Sequence, residues 1–304
     1  MKLTDDFKNK VVAALKDMRK LYGGSDAAFA KQWGIHGSVW SRLKKGEIEK
    51  ILSNDQWITI GQDLDVSNTG FEFIKAETEV YQAISNDITF CKENGQAMII
   101  VDDCGIGKSF TGKHLSKTLN NCFYIDLSQC GTKDAFVRTL AKAIGVEYKD
   151  RLFKVIQRIK YCLGVLEQPM IIIDEGGFVN KAIVQLLQEL WNATTNGICG
   201  WYMMGAEGFK KAIERGIKND VPGYREFFNR YGNKFMKVAP TNRAERIAFY
   251  TKLVTDVLSI NMKDKALMKK IVNKCIATDD TDDDEAMNIG GLRKAKTLLI
   301  LNAA

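Results

Sequence analysis

Two short stretches carry residue types that handle phosphate. The first is Gly105-Ile106-Gly107-Lys108-Ser109-Phe110, reached from the apolar run Ala97-Met98-Ile99-Ile100-Val101 through Asp102, Asp103 and Cys104. An apolar strand, a glycine-bearing loop and a helical pattern in that order form a phosphate-binding loop. Glycine lets the backbone turn its N–H groups toward an anion with no Cβ in the way. Lys108 then reaches the β- and γ-phosphates, Ser109 ligates Mg2+, and the following helix presents its positive end. Asp102 is a departure, standing where the full pattern has its first glycine. The second stretch, Met170-Ile171-Ile172-Ile173-Asp174-Glu175, ends an apolar strand in two acids some 65 residues further on. Alone, it reads equally well as a strand that ends at the surface. Paired with the loop, Asp174 becomes a holder of the Mg2+ shell and Glu175 the group that polarises an attacking water. The carboxyl edge of an open parallel sheet is where ligands sit. ATP with Mg2+ is the ligand these residues imply.

Three arginines are candidates to act on the same phosphates. Arg225 and Arg230, in Tyr224-Arg225-Glu226-Phe227-Phe228-Asn229-Arg230-Tyr231, precede the last apolar run. From there either one reaches a neighbouring subunit's γ-phosphate, or both lie on a solvated helix face with ordinary ion pairs. Arg293 opens a late helix after Asn288-Ile289-Gly290-Gly291-Leu292, positioned to bend over the phosphates.

The elements that must position these groups are legible as periodicity. Short apolar runs at 97–101, 122–125, 170–173, 198–204 and 234–238 alternate with helical patterns at 132–144, 150–167, 180–194, 207–218 and 223–231. Alternation of this kind implies an α/β fold with a parallel sheet covered on both faces. A helix from about Ile74 to Cys91 leads into the first strand, and after Ala239 only helical patterns remain. The acidic run Asp279-Asp280-Thr281-Asp282-Asp283-Asp284-Glu285 reads as a solvated loop rather than a metal site.

The 304-residue chain, 45% hydrophobic and 27% charged, has the composition of a soluble globular protein of two or three modest domains. No apolar run reaches the length of about eighteen residues that a membrane span needs, and the opening residues lack the apolar region of a signal peptide. Seven cysteines without any Cys-x-x-Cys read as reduced thiols, so a cytoplasmic location is expected. His36 and His114 are the only histidines, leaving little material for a zinc site or a His-based triad. A net charge of +7 permits nucleic-acid binding without demonstrating it.

Ahead of this core, residues 7–22 show the spacing of an amphipathic helix. Residues 27–46 then read as two short helices broken at Gly34 and ended by Gly46. Phe29, Ala30, Ile35, Trp40 and Leu43 fall where those helices would press together, and Trp33 and Trp40 read as core. Over residues 1–66 this pattern resembles the helix-turn-helix of the phage repressor/Cro family, whose second helix enters the DNA major groove. Ser38, Ser41, Arg42 and Lys44 are then the candidate DNA contacts, beside His36 and Val39. The segment carries eleven Lys/Arg against nine Asp/Glu, so it is barely basic, and a module for protein contact fits as well.

The combination resembles the AAA+ ATPases. Its domain order is most similar to the phage Mu B transposition protein and its relatives, the ATPase partners of transposases. The resemblance implies a helix-turn-helix domain over 1–66, an ATPase core over 67–238 and a helical lid over 239–304. By matching position it makes Lys108 and Ser109 the loop pair, Asp174 and Glu175 the acidic pair, Arg293 the lid arginine and Arg225 or Arg230 the finger. The polar residue such proteins often carry after the fourth strand is not evident, since the chain reads Met204-Gly205-Ala206-Glu207. With Asp102, that gap implies slow hydrolysis, or a site completed by partners.

The function so implied is an ATP-dependent, sequence-tolerant DNA-binding protein that forms a homo-oligomeric filament or ring on DNA and activates a transposase. Lys210, Lys211, Arg215 and Lys218, in a segment 207–246 with ten Lys/Arg against five Asp/Glu, are DNA candidates, as are Lys133 and Arg138. A replicative helicase loader, a nucleotide-sensing repressor and a signalling or secretion ATPase remain open on the same residues.

Overall fold

A computed structural model of the chain describes residues 3–22, 25–64, 66, 74–194, 199–276 and 290–303. The described chain divides into two compact units, with the division between Glu72 and Phe73.

The first unit is all-helical: α1 (Asp5–Leu21), α2 (Asp26–Gln32), α3 (Gly37–Lys44) and α4 (Asn54–Asp63). Thr4, Ser25 and Ser53 cap α1, α2 and α4 by accepting from the backbone N–H three residues on. Gly34 and Gly46 both adopt positive φ, at 67° and 88°, where the chain leaves α2 and α3. Phe29, Ala30, Ile35, Trp40 and Leu43 are buried together with Val11, Leu15, Trp57 and Ile60. Trp33 is only half-buried at their edge.

In the second unit, elements alternate as the periodicity requires: α5 (Glu79–Asn94), β1 (Ala97–Val101), α6 (Lys108–Thr118), β2 (Cys122–Asp126), α7 (Lys133–Ile144), α8 (Leu152–Val165) and β3 (Met170–Asp174). Then follow α9 (Lys181–Ala193), β4 (Gly200–Gly205), α10 (Glu207–Lys218), α11 (Tyr224–Arg230), β5 (Phe235–Met236), α12 (Arg243–Asn261), α13 (Lys265–Ile276) and α14 (Gly291–Ala303). The five strands form one parallel sheet in the order β2-β3-β4-β1-β5. Period-2 alternation divides its side chains between two cores. Ile99, Val101, Ile125, Ile171, Ile173, Trp201 and Met203 face α7, α8, α9, α10 and α11, whereas Ile100, Met170, Ile172, Tyr202 and Met204 face α5, α6 and α12. After Ala239, α12 shares the second core through Phe249, Tyr250 and Leu253, so it packs on the sheet within the same compact unit.

Two boundaries differ from the sequence reading. The helix expected from Ile74 starts at Glu79, because Thr78 caps it by accepting from the Tyr81 N–H at 3.1 Å, while 74–78 form no helix. The last strand is two residues long rather than five. The Val238 and Ala239 N–H groups bind the Asp102 carboxylate, at 2.6 and 3.0 Å, instead of a neighbouring strand. Residues 279–285 and Asn288 and Ile289 lie outside the described residues, as does Ile198.

Candidate active site

The loop from β1 to α6 turns on Gly105 and Gly107, at φ 77° and 104°, a region where an L side chain is strained. Gly107 is also the N-cap of α6 and supplies no side-chain cap. The first amides of α6 are thus left for a ligand, at the positive end of the helix. Asp102, by contrast, does not have positive φ. Glycine is not required there, and the buried Asp102 carboxylate instead accepts from the Asp103, Val238 and Ala239 N–H groups.

Gly105, Ile106, Gly107, Lys108, Ser109 and Phe110 line one cleft together with Asp174, Glu175 and Arg293. Three stretches far apart in sequence meet there because β1 and β3 end at the same sheet edge, one strand apart, and because the Leu292 N–H of α14 donates to the Gly105 carbonyl at 2.9 Å. The Lys108 ammonium donates to the Asp102 and Asp103 carbonyls at 2.7 and 2.5 Å. Burial lowers its pKa, against the pull of Asp102 and other nearby negative groups.

Asp174 is almost fully buried. Its Oδ1 accepts from the Glu175 N–H at 2.8 Å and its Oδ2 from the Tyr124 hydroxyl at 2.6 Å. Burial and the Asp174 charge push the Tyr124 hydroxyl pKa up, so it stays a donor. Glu175 holds a left-handed backbone, φ 53°. Its carboxyl pKa is raised by partial burial and by the neighbouring Asp174 and Asp126, with Arg293 and Lys108 opposing. A carboxylate so shifted is a better proton acceptor than an ordinary glutamate. Ile74, Ala76, Tyr81 and Val257 make part of the cleft apolar, and Leu292 adds an apolar side chain against Gly107. Gly205 and Ala206 are what the end of β4 contributes, and no polar side chain from that strand enters the cleft.

The remaining candidates lie elsewhere. Arg225 pairs with Asp220 at 3.1 Å on an exposed face of α11. Arg230 donates to the Asn192 side chain at 2.6 Å and lies over the Trp191 ring. Neither lines its own chain's cleft. In α3, Ser38 bonds the His36 ring at 2.8 Å and Ser41 donates to the Gly37 carbonyl at 3.1 Å. Arg42 pairs with Glu47 at 2.7 Å, and Lys44 pairs with Asp26. Arg138 binds Asp134 and the Tyr148 and Asp150 carbonyls, and Lys133 lies 3.9 Å from Glu189. Lys210 and Lys211 sit on α10 and ion-pair with no described residue; Lys210 also lines a second cleft with Glu207 and Lys237.

Sequence reading missed Tyr124, Lys296 and the group Asp103, Arg246 and Tyr250. Lys296 lines the cleft from a late helix and Tyr124 braces Asp174 from an apolar strand, and neither sequence pattern marks a site. A signal for the third was present. Two acids at the mouth of a phosphate loop repel the ligand unless cations from elsewhere offset them.

This geometry is that of a P-loop nucleotide-binding domain in the AAA+ fold. Residues 91–213 match the AAA domain family. The matched segment runs from the end of α5 through β4 into α10, and so contains both the phosphate loop and the acids that end β3. No curated protein matches the sequence. Among solved structures, NtrX from Brucella abortus in complex with ATP is similar at 13% identity and a TM-score of 0.41, over 88% of this chain and 65% of that chain. A likeness of that degree says nothing of this chain's activity.

Proposed function

We propose that the chain hydrolyses ATP between subunits of a homo-oligomer assembled on DNA, and that it serves transposition as the ATPase partner of a transposase. The observation that carries the ATP reading is the convergence of Lys108, Ser109, Asp174, Glu175 and Arg293 on one cleft whose floor is an uncapped helix N-terminus. Polyphosphate lies along the loop amides with Lys108 on its outer phosphates, and the base fills the apolar part beside Tyr81 and Val257. Water attacks the γ-phosphorus, the bond to the ADP oxygen breaks, and Glu175 takes the water's proton. Arg293 neutralises charge on the departing phosphoryl group. Arg225 or Arg230 of a neighbouring subunit does so from the other side, which fits their position away from their own cleft.

Mg2+ fits the residues present. No described cluster of three or more His, Cys, Asp or Glu side chains makes a closed cage. A hydroxyl and one buried carboxylate suit a cation held mainly by phosphate oxygens and water. Ser109 and Asp174 would hold it, and when bound it offsets charge on the phosphate oxygens.

The DNA reading is supported by Lys210, Lys211, Arg215 and Lys218 on one helix, none with a described acidic partner. In α3 the cations Arg42 and Lys44 already have acidic partners, so weak or sequence-tolerant DNA contact, or contact with protein, fits the first unit better than tight operator binding. The transposase assignment rests on domain order.

The test is fluorescence anisotropy on random-sequence duplex with ATP, ADP or neither, alongside phosphate release, for the parent chain and Lys108→Ala. Cooperative binding that needs ATP and disappears in the variant is the expected result. Binding indifferent to nucleotide moves the DNA site to the first unit, and no binding under any condition sinks the DNA and transposition readings.

A further inference from the structure

The lid touches the phosphate loop through side chains that none of the roles above uses. Arg246 and Tyr250 lie one turn apart on α12, with the guanidinium 5.6 Å from the Tyr250 ring centre. Both donate to the same oxygen of the loop residue Asp103: Arg246 Nη2 at 2.6 Å and Tyr250 Oη at 2.8 Å. The ion pair is mostly out of solvent, with Arg246 12% and Asp103 23% exposed. Immediately before it, the Asp102 carboxylate holds the Val238 and Ala239 amides that lead into α12. Two residues after Asp103, the Gly105 carbonyl accepts from the Leu292 N–H, one residue from Arg293. The phosphate loop is thereby tied at Asp102 to the segment leading into α12, at Asp103 to α12 itself and at Gly105 to α14, and Lys108 grips the backbone carbonyls of the first two.

We propose that Asp103, Arg246 and Tyr250 form a latch that positions the lid, and with it Arg293, over the phosphate loop, and that Arg246 also neutralises the Asp103 carboxylate so that the loop accepts a polyanion. The charge logic is direct. An uncompensated carboxylate in the loop repels a polyphosphate, whereas the same carboxylate paired with Arg246 presents little net charge. Asp103, Arg246 and Tyr250 are therefore positioning residues. The nucleotide half of the inference rests on the ATP reading above, and the lid half does not.

That division sets the experiment. Leu292 is the second residue of α14, so its amide has no acceptor within its own helix, and its protection reports the bond to Gly105 alone. Amide exchange at Leu292, followed by NMR on the full chain without nucleotide, is expected to quicken about tenfold or more in Asp103→Asn and Arg246→Gln. It should quicken less in Tyr250→Phe, which keeps the ring and is the variant least able to disturb folding. Unchanged exchange in Asp103→Asn and Arg246→Gln overturns the latch whatever nucleotide does.

Affinity for a fluorescent ATP analogue supplies the second readout. Arg246→Gln alone should bind about tenfold more weakly, because it bares Asp103. Adding Asp103→Asn to it should restore affinity to within about threefold of Asp103→Asn alone, and Arg246→Lys should recover most of the loss. A merely structural role makes the double variant no better than the worse single one, and that outcome overturns the neutralising role. If the parent chain binds no analogue, the ATP reading has failed, and the exchange measurement still decides the latch.

Discussion

Cys104 lies in the phosphate loop between Asp103 and Gly105, and it is the exposed member of a set of seven free thiols. Cys91, Cys122, Cys130, Cys199 and Cys275 are buried and Cys162 is half-buried. Burial pushes Cys91 and Cys122 up to about 12 and Cys130 to about 11. At pH 8 a thiol with a pKa near 12 is ionised in roughly one molecule in ten thousand, and only the thiolate attacks. Brief treatment with iodoacetamide followed by peptide mass spectrometry should therefore find one rapidly modified cysteine per chain, Cys104. The same side chain lines the nucleotide cleft. Bound nucleotide should shield it, so the rate falls by the factor 1 + [ATP]/Kd, about 100-fold at an ATP concentration of 100 Kd. Kd is obtained independently by calorimetry. Modification of a different cysteine first would refute the burial reasoning. A Cys104 rate unchanged at saturating ATP would refute the position assigned to the nucleotide.

Other substitutions test separate links. Glu175→Gln should keep ATP binding and lower kcat by about 10²- to 10⁴-fold, the usual worth of a positioned general base; full turnover would remove Glu175 from the mechanism. Because its pKa is raised above 4.5, the base form is lost as pH falls through that raised value. Asp126→Asn removes one of the charges that raise it and should move the acid limb of kcat/KM to lower pH. Gly216→Ala, favourable by helix propensity alone, should instead cost about 1–3 kcal/mol in urea unfolding. The new Cβ would meet the Tyr224 ring at 2.3 Å. Asp26, hydrogen-bonded to Lys44 and Arg19, has a pKa lowered to about 2. Its contribution to the first unit's stability is present above the unfolded value of 3.8 and lost as pH falls through about 2, so Asp26→Asn should flatten the acid unfolding curve of that unit. Lys210→Ala with Lys211→Ala should reduce the slope of log K for DNA against log salt by about 0.9 for each phosphate no longer neutralised, and an unchanged slope would take α10 out of the DNA path.

Much of this molecule is written locally. Strand runs, helical spacing and the glycines that turn the phosphate loop are properties of a few adjacent residues, so Gly105 to Phe110, Asp174 and Glu175 are legible as a site without the fold. The boundaries that shifted did so through distant partners. β5 stops after Met236 because a carboxylate 136 residues upstream takes the Val238 amide. Asp102 reads in sequence as a defect in a motif, and in the fold it ties the loop to the segment that leads from β5 into α12. Lys44 and Lys133 read as cations available to DNA, and each has an acidic neighbour that only folding brings near, whereas the partners of Arg42 and Arg138 lie within five residues in the chain. Residue type and spacing specify what a side chain is able to do and which backbone shape it favours. Whether it does so depends on which opposite charge, donor or apolar wall the tertiary structure sets within a few ångströms of it, because these interactions act over that range and linear sequence does not record it.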